Sequence, residues 1–455
     1  MLRPMLPTDS VFLTAETRET PMHVGGLQLF RPSADFGDVH EMFQQLITAG
    51  DVAPLFSKRA RRSISTAGQW GWERDEDFDI EHHVRHNALP KPGRVLELLA
   101  LCSRLHGTLL DRKRPLWELH LIEGLNDGRF AIYFKIHHAL VDGVSAQRLL
   151  QSILTKDPTV RDLPAPWANR PPAARLERQH KTSVLRSALD LAEEAAGLPA
   201  VLAKTVGRGL KEQSGSISFA APRSMFNVPI TGSRRFAAQS WPMRRITGIS
   251  KAAKVTVNDV VLATCSGALR SYLQALDALP DTPLIAMVPV ALRVKDRHSD
   301  GGGNAVGAVM CNLGTHLADP AERLETVRAS MVDGKQALAE MTPLQIVAMT
   351  GIGMSPLVLQ SLPGYTELFR PPFNVIISNV PGPRTPLYLN GAKLDGLYPL
   401  SIPYHGQALN ITCTSYDHDI AFGLTGCRRT VPHLQRLLGY LDAELGALET
   451  ALGIG

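Results

Sequence analysis

The chain has 455 residues, of which 44% are apolar and 20% are charged, a composition that excludes extensive disorder and a polytopic membrane protein. The net charge of +5 and the five scattered cysteines argue against a nucleic-acid-binding protein, a zinc module and a disulfide scaffold. The length predicts two or three domains. Because the first nine residues lack the apolar core of a signal peptide, we expect a cytoplasmic protein.

The first 160 residues alternate between strand and helix patterns. Residues 26–30 and 129–136 are rich in aromatic and β-branched side chains, which predicts strands. Residues 97–108 and 144–154 have apolar side chains at spacings of three and four, which predicts helices. We therefore expect an N-terminal α/β domain over residues 1–160.

Residues 161–222 predict a connector. Five prolines lie between positions 158 and 172, and helical periodicity follows over residues 182–211. Residues 156–223 hold 11 Lys or Arg and 7 Asp or Glu, so this stretch carries most of the net charge. A basic connector could attract phosphates or an anionic membrane surface, but we favour a solvated crossover.

Residues 223–455 predict a second α/β domain. The patterns indicate a helix over 257–273, strands over 283–290, 373–378 and 409–415, and a closing helix from 431 onward. Within this half, residues 341–366 carry no charge and are numerous enough to cross a bilayer. Because prolines and glycines interrupt the stretch, we favour helices packed around an apolar cavity, then interfacial contact, and only then a membrane span.

Two adjacent histidines, an aspartate and a glycine form the motif HHxxxDG at His137, His138, Asp142 and Gly143. A neutral imidazole suits general-base catalysis, since its unperturbed pKa lies near 6.5. Alternation along the preceding strand places His138 on one face, beyond the apolar side chains of Ile132, Phe134 and Ile136. We predict that His138 is a base acting on a lipid-like hydroxyl, and that His137, on the opposite face, is a support bonded to backbone.

Asp142 and Gly143 lie where the helix over residues 144–154 starts. Asp142 could cap that helix, or it could be a structural carboxylate that pairs with an arginine and holds the histidine loop in shape. We favour the second role, with the cap operating as well. We expect Gly143 to adopt a backbone conformation that is closed to other residues.

Other catalytic motifs are missing from the sequence. No GxSxG and no GxxxxGK[ST] occurs, and the glycine-rich segment 301–307 lacks the spacing of a dinucleotide-binding loop. The cluster His82, His83 and His86 is interpreted as structural, because adjacent strand positions diverge and no cysteine or HExxH accompanies it. We therefore expect no metal.

A histidine base without a covalent nucleophile suggests direct transfer. One substrate's hydroxyl would lose its proton to His138 and attack an acyl thioester held beside it, which requires a donor that stabilises the oxyanion. Asn258 and Asp259, at the start of the helix over residues 257–273, are candidates for that site, and ordinary helix capping is the alternative.

Several stretches together resemble the bacterial wax ester synthase/diacylglycerol acyltransferase family. They are PMHVGGLQLF at 21–30, RPLWE at 114–118, the HHxxxDG motif, ND at 258–259 and NVPGP at 379–383. HHxxxDG alone is shared with condensation domains of peptide synthetases and other chloramphenicol-acetyltransferase-like enzymes. The remaining stretches narrow the resemblance to this one family.

The resemblance implies an α/β fold of two chloramphenicol-acetyltransferase-like domains, with mixed sheets and flanking helices, joined by a long crossover linker. An active-site tunnel would run between the domains. The substrates implied are acyl-CoA, as co-substrate without any other cofactor, and a long-chain alcohol or diacylglycerol as acceptor. Peripheral contact with a membrane or lipid inclusion is expected, and nucleic acid is not.

The resemblance also implies roles for individual residues. His138 corresponds to the catalytic base, Asp142 to the structural acid and Asn258 to a residue near the active site. Pro115, Leu116 and Trp117 match a motif thought to shape the substrate channel, although Trp117 could be a core residue. Arg59 lies at a matching place in relatives and is predicted to be the partner of Asp142. The NVPGP turn is interpreted as a latch or crossover between the halves.

Two rival functions remain at this point. One is a condensation-type, amide-forming acyltransferase that acts on carrier-bound acyl groups. The other is a lipid-binding protein with a decayed site. The PLWE and NVPGP stretches speak against the first, and the intact HHxxxDG motif speaks against the second.

Overall fold

Two mixed β-sheets of six strands each form the framework of the part that the structure covers. The computed structural model describes residues 2–5, 7–34, 36–48, 50–64, 68–168, 221–293, 304–341, 364 and 370–454. The predicted helix over 182–211 and almost all of the uncharged stretch 341–366 therefore lie outside the described residues.

The first half supplies a sheet and the helices that cover it. Its strands are β1 (Arg3–Pro4), β2 (His23–Arg31), β3 (Lys58–Arg62), β4 (Trp70–Arg74), β5 (Val84–Ala88), β6 (Trp117–Glu123) and β7 (Phe130–His137). Its helices are α1 (Pro7–Ala15), α2 (Val39–Thr48), α3 (Pro54–Ser57), α4 (Ile80–His83), α5 (Val95–His106) and α6 (Gly143–Gln151). The predicted strands over 26–30 and 129–136 and both predicted helices are confirmed, with ends shifted by one to three residues.

The second half repeats this organisation. Its strands are β8 (Arg234–Pro242), β9 (Ile285–Arg293), β10 (Asn304–Asn312), β11 (Val375–Val380), β12 (Tyr388–Leu389), β13 (Ala392–Leu400), β14 (Leu409–Tyr416) and β15 (Asp419–Cys427). Its helices are α7 (Met243–Ala253), α8 (Val257–Gln274), α9 (Pro320–Ala339) and α10 (Arg436–Ala451). The closing helix begins at Arg436, five residues later than predicted.

The chain crosses between the halves after β11. The first sheet has the order β12-β13-β2-β7-β6-β5 and the second has β10-β9-β11-β14-β15-β8, so β12 and β13 belong to the first sheet. The crossing starts at the NVPGP turn, where the Gly382 amide donates to Ser415 Oγ at 3.0 Å and a Cβ would collide with the Ser415 carbonyl. The NVPGP turn therefore lies at a crossover between the two sheets, which is one of the two roles predicted for it, and residues 388–400 of the predicted C-terminal domain belong to the first sheet.

Strand β7 is buried along its whole length because both faces of the first sheet are covered. On one face, Ile132, Phe134 and Ile136 pack under α6. On the other face, Tyr133 packs under α5, which also contacts Phe236 of β8. Helix α5 therefore lies between the two sheets and joins them.

None of the helices in the described ranges is long and apolar enough to cross a membrane.

Candidate active site around His138

His138 lies one residue beyond the end of β7 and extends the pairing of that strand with β2. His137 is opposite His23 in the antiparallel register, and the His138 amide donates to the Met22 carbonyl at 2.9 Å. The predicted alternation therefore holds through His137, and the next peptide is still fixed by backbone bonding. This anchoring sets where the His138 ring can point.

The imidazole of His138 is half-buried and stacks on Phe12 of α1, with ring centroids 4.0 Å apart and planes 25° from parallel. Burial lowers the pKa of His138 to about 4, and the neighbouring His137 acts in the same direction. The Asp142 carboxylate opposes this shift. His138 is therefore a neutral imidazole at pH 7, with a hydrogen-bond acceptor available to a substrate hydroxyl.

His137 is fully buried, with one ring nitrogen hydrogen-bonded to backbone and the other facing a carboxylate. Its Nδ1 accepts the Ala139 amide at 3.1 Å, which puts the proton on Nε2, and Nε2 lies 3.4 Å from Glu16 Oε1. The expected bond to backbone is therefore present. His137 ties the loop that follows β7 to α1.

Glu16 joins the histidine pair to the segment before β2. Its carboxylate accepts the Met22 amide at 3.1 Å and Arg112 Nε at 3.0 Å, besides facing His137. Burial by itself raises the pKa of Glu16, but these partners outweigh burial and the pKa is lowered. Glu16 is therefore ionised at neutral pH and fixes Met22, whose carbonyl holds the His138 amide.

Asp142 caps helix α6 and forms no ion pair with Arg59. Its Oδ1 accepts the Ser145 amide at 2.7 Å, the geometry of an N-cap. Arg59 is opposite Glu73 in the β3–β4 register and pairs with Glu73 at 2.8 Å and with Asp75 at 3.2 Å. The predicted pairing of Asp142 with Arg59 is wrong, because the neighbouring strand supplies the partners of Arg59.

Gly143, the first residue of α6, does not lie in the left-handed region of the backbone map. A Cβ there would meet no atom of the described residues within 4 Å. The expectation of a special backbone conformation is wrong. The glycine instead leaves open space at the start of the helix.

The motif of Pro115, Leu116 and Trp117 contributes one residue to the candidate site and another to the core. The Leu116 carbonyl accepts the His137 amide at 2.9 Å, and Leu116 packs against Ala139. Trp117 is completely buried, and its Nε1 donates to the Phe56 carbonyl at 2.8 Å. Leu116 thus supports the histidine loop, while Trp117 takes the alternative role of a core residue. Pro115, also buried, precedes them.

Asn258 and Asp259 lie in the first turn of α8. Asp259 is buried and forms a capping box with Thr256: Oδ2 accepts the Thr256 amide at 2.9 Å, and Thr256 Oγ1 accepts the Asp259 amide at 3.2 Å. Asp259 thus has the capping role named as the alternative. Asn258 is half-buried, and within the described ranges no hydrogen bond joins it to His138. A role for Asn258 in oxyanion stabilisation stays a prediction.

Of the three clustered histidines, His83 and His86 have partners of their own, and the His82 ring packs edge-on against that of His83, with centroids 5.2 Å apart. His83 stacks on Trp117, with centroids 4.6 Å apart, and its Nδ1 lies 2.8 Å from the Trp117 carbonyl. His86 lies 3.4 Å from Glu123 Oε1, and burial lowers the pKa of His82. Their contacts are those of structural residues, as predicted.

Apolar side chains from both halves meet beside His138. Phe12 and Met22 belong to one packed cluster with residues of the second half: Ile285, Met287, Met310, Phe373, Ile376, Ile402 and Tyr404. Gln147 of α6 adds a polar link, because its Nε2 donates to Thr414 Oγ1 of β14. A cavity of about 220 Å³ lies elsewhere, near residues 153 and 162–166 at the other end of α6. The predicted tunnel stays a prediction.

Sequence reasoning missed Phe12, Glu16, Met22 and Arg112. Glu16 and Arg112 are 96 positions apart, and Phe12 is 126 positions from His138. No local pattern marks such pairs. The PMHVGG stretch, which includes Met22, is the one local signal in this region.

The chain is similar to known acyltransferases over almost its whole length. The family model for the wax ester synthase/diacylglycerol acyltransferase catalytic domain matches residues 5–261, and the model for the C-terminal domain of the same family matches residues 302–449. A Mycobacterium tuberculosis protein described as a probable diacylglycerol O-acyltransferase is 52% identical over 453 residues, which cover 99% of each chain. A second M. tuberculosis protein, described as a putative diacylglycerol O-acyltransferase, is 50% identical and is matched over its whole length.

Solved structures show the same likeness. The wax ester synthase/diacylglycerol acyltransferase from Marinobacter aquaeolei VT8 superposes with a TM-score of 0.80 at 42% identity, covering 99% of this chain and 100% of that one. The first condensation domain of the CDA synthetase gives a TM-score of 0.60 at 16% identity over 98% and 96% of the two chains, a likeness of fold alone. The chain therefore belongs to the wax ester synthase/diacylglycerol acyltransferase family and is an acyltransferase.

Proposed function

We propose that the protein transfers a long-chain acyl group from acyl-CoA to the hydroxyl of diacylglycerol or a long-chain alcohol and releases CoA. The observation that carries this proposal is His138: a half-buried, neutral imidazole beside an apolar seam between the two halves. The relatives described as diacylglycerol O-acyltransferases support the choice of a diacylglycerol acceptor.

In the proposed reaction, His138 removes the proton from the acceptor hydroxyl while the oxygen attacks the thioester carbonyl carbon. The tetrahedral intermediate then collapses, the carbon–sulfur bond breaks, and the imidazolium returns its proton to the CoA sulfur. The products are an oxygen ester and free CoA. No covalent acyl-enzyme is required.

The low pKa of His138 has two consequences for this mechanism. The ring is unprotonated and ready to accept a proton at neutral pH, but the imidazolium is costly in its apolar surroundings. The proton must therefore pass quickly to the leaving sulfur. The Asp142 carboxylate favours the imidazolium electrostatically, a role that is compatible with its cap on α6.

The surrounding residues act by positioning. Glu16 holds His137 and Met22, and these two fix the loop and the backbone that carry His138. A base displaced by about 1 Å loses much of its effect, so we assign Glu16 to positioning rather than to proton transfer.

The test is an assay of radiolabelled palmitoyl-CoA with diacylglycerol, hexadecanol and hexadecylamine in parallel, with products resolved by thin-layer chromatography. We expect ester products from the first two acceptors, and His138→Ala should abolish them while the protein keeps its melting temperature. His418→Ala, at a side chain that is 93% exposed, is the matched control and should retain full activity. Wild-type rates from His138→Ala would refute the base. A product with hexadecylamine alone would favour the amide-forming alternative.

A further inference from the structure

A cleft of about 560 Å³ opens at the end of β2 that is opposite to the candidate active site. Strand β2 begins at His23, which pairs with His137, and ends at Arg31 in the cleft, so the two ends are about 27 Å apart along the strand. The volume is in the range of small-molecule binding sites. We call this cleft the basic cleft, and its lining includes Arg31, Ser33, Arg161, Tyr388, Gly391 and Lys393.

Two cations of the basic cleft are directly opposite each other on neighbouring strands. Arg31 of β2 pairs with Lys393 of β13 in the antiparallel register, so their side chains project from the same face of the sheet. Like charges in such a pair destabilise a sheet. Lys393 is exposed and forms no ion pair within the described ranges. Asp395 lies 3.3 Å from Arg31, but it is shared with Arg129 at 2.8 Å, so the cleft keeps an excess of positive charge.

The third cation, Arg161, is held in place by backbone. Its Nη1 donates to the Pro158 carbonyl at 2.8 Å, and its guanidinium occupies the space that a side chain at Gly391 would fill. Gly391 and Asn390 both have positive φ, as the two-residue turn between β12 and β13 requires. The Nε and Nη2 groups of Arg161 donate no hydrogen bond to any described residue. They are therefore available to a ligand.

Hydroxyl groups lie beside these cations. Tyr388 of β12 is directly opposite Lys393, so it lies on the same face of the sheet, and its backbone bonds twice with Thr155, at 2.9 and 2.7 Å. In the part of the chain that the structure covers, the hydroxyls of Tyr388 and Ser33 form no hydrogen bond. The acidic side chain of this wall, Asp157, is already bonded to the amide and hydroxyl of residue 159. The basic cleft thus offers charged and neutral donors to one ligand.

We propose that the basic cleft binds a soluble anion with two or more phosphate groups, of the size of a nucleoside diphosphate, at a site separate from the candidate active site. Phosphate oxygens form strong, charge-assisted hydrogen bonds with guanidinium and ammonium groups. A single phosphate group carries a charge of about −2 at most, so two or more are needed to match three cations. A soluble ligand fits better than a lipid surface, because none of the large apolar side chains that are exposed among the described residues lines the cleft.

The proposal is tested by isothermal titration calorimetry with ADP and with pyrophosphate, in the absence of acyl-CoA. Wild-type protein should bind both, and more weakly at high salt. Each charge-assisted hydrogen bond to a phosphate strengthens binding by about tenfold or more, so Lys393→Glu and Arg161→Gln should each weaken binding by at least that factor. Failure of wild-type protein to bind either probe would overturn the proposal, as would wild-type affinity in both variants.

The matched control is Arg244→Glu, which makes the same change in net charge as Lys393→Glu at an exposed position of α7. It should retain most of the binding, and equal loss in both variants would reduce the effect to net charge and overturn the basic cleft as a site. Lys393→Glu also places opposite charges across from each other at Arg31, so without ligand it should melt no lower than wild type. Loss of binding in a variant of unimpaired stability separates ligand recognition from a structural role.

Two further measurements distinguish the sources of phosphate. In the acyltransferase assay, Lys393→Glu should keep the wild-type KM for palmitoyl-CoA, and a raised KM together with lost ADP binding would place the CoA phosphates in the basic cleft and overturn a separate site. Binding to phosphatidylglycerol vesicles without binding to ADP or pyrophosphate would assign the cleft to lipid headgroups and likewise overturn the proposal. The calorimetric titrations need no turnover, so their result stands whether or not the proposed function holds.

Discussion

The ring of Phe12 stacks on the imidazole of His138, with centroids 4.0 Å apart and planes 25° from parallel. The stack covers one face of the imidazole with an apolar surface and leaves its nitrogens at the edge. Because this cover removes water from the ring, it contributes to the burial that lowers the pKa of His138 to about 4. Helix α1 thus supplies, through Phe12, one wall of the apolar surroundings of the proposed base.

Phe12→Leu tests this relationship. Leucine keeps an apolar contact but no longer covers the imidazole as a flat ring, so we expect the pKa of His138 to rise toward 6.5. The acid limb of kcat/KM against pH should move upward, and kcat should fall on the order of tenfold because the ring is less well held. Phe43→Leu removes a comparable phenylalanine–histidine stack with His86, at 5.1 Å, and should leave the profile unchanged. An unaltered acid limb in Phe12→Leu would show that the stack does not set the pKa.

Two substitutions separate the helix-capping role of Asp142 from the effect of its negative charge. Asp142→Ala removes the bond to the Ser145 amide, so the free energy of unfolding should fall by about 1 kcal/mol. Asp142→Asn keeps a good N-cap and should leave stability nearly unchanged, but it removes the negative charge that favours the His138 imidazolium. We expect kcat to fall in both variants, measured beside chemical denaturation curves. Full activity in Asp142→Asn would restrict Asp142 to the cap.

The sequence predicts those features of the fold and the site that depend on local periodicity, namely the two faces of a strand and the start of a helix. The alternation of β7 places Ile132, Phe134 and Ile136 on one face and His137 on the other, because side chains in a strand repeat every two residues whatever the rest of the fold does. The N-cap at Asp142 is likewise predicted by its position before a helical pattern, and the structure has that cap.

Contacts between distant segments could not be predicted in the same way. Arg59 was assigned to Asp142, but the β3–β4 register places Glu73 opposite it, and strand register depends on how the hairpin closes. Glu16 and Arg112 meet only after α1 docks against the segment before β6. The placement of β13 in the first sheet is a property of topology, because it depends on the crossing of the chain after β11 and on pairing with β2, about 370 positions earlier.

Gln147 and Thr414 link α6 to the second sheet, and their coupling can be measured. Each of Gln147→Leu and Thr414→Val leaves a polar partner unsatisfied in partly buried surroundings, so both should destabilise the protein. The double variant should lose less free energy of unfolding than the two single variants together, and denaturation experiments should give a coupling energy of about 1 kcal/mol. Because α6 begins beside the His138 loop, kcat should fall more than KM changes. Gln45→Leu, which removes an exposed 3.5 Å contact to Asp162, is the control, and strict additivity would contradict the link.

The buried histidines behind the site predict that acid destabilises the fold. His106 is fully buried, its Nε2 donates to the Ser401 carbonyl at 2.9 Å and its Nδ1 accepts from Tyr133 at 2.9 Å, which joins the first sheet to the segment after β13. Burial lowers the pKa of His106 to about 3. In the unfolded chain this pKa returns to about 6.5, so the unfolded state binds the proton first as the pH falls. The contribution of the neutral His106 to the free energy of unfolding is therefore fully present above pH 6.5 and is lost as the pH falls from 6.5 to 3.

At pH 5 this single group should lower the free energy of unfolding by about 2 kcal/mol relative to pH 7. His106→Gln disturbs the two buried hydrogen bonds of the imidazole, so the variant should be less stable than wild type at pH 7. Because glutamine cannot take up a proton, the variant should lose less stability than wild type on going to pH 5. The measurement is urea denaturation at both pH values. His418→Gln, at an exposed histidine, should keep the wild-type dependence. If His106→Gln keeps the full wild-type loss between pH 7 and 5, His106 is not the group that titrates, and the other buried histidines must carry the effect.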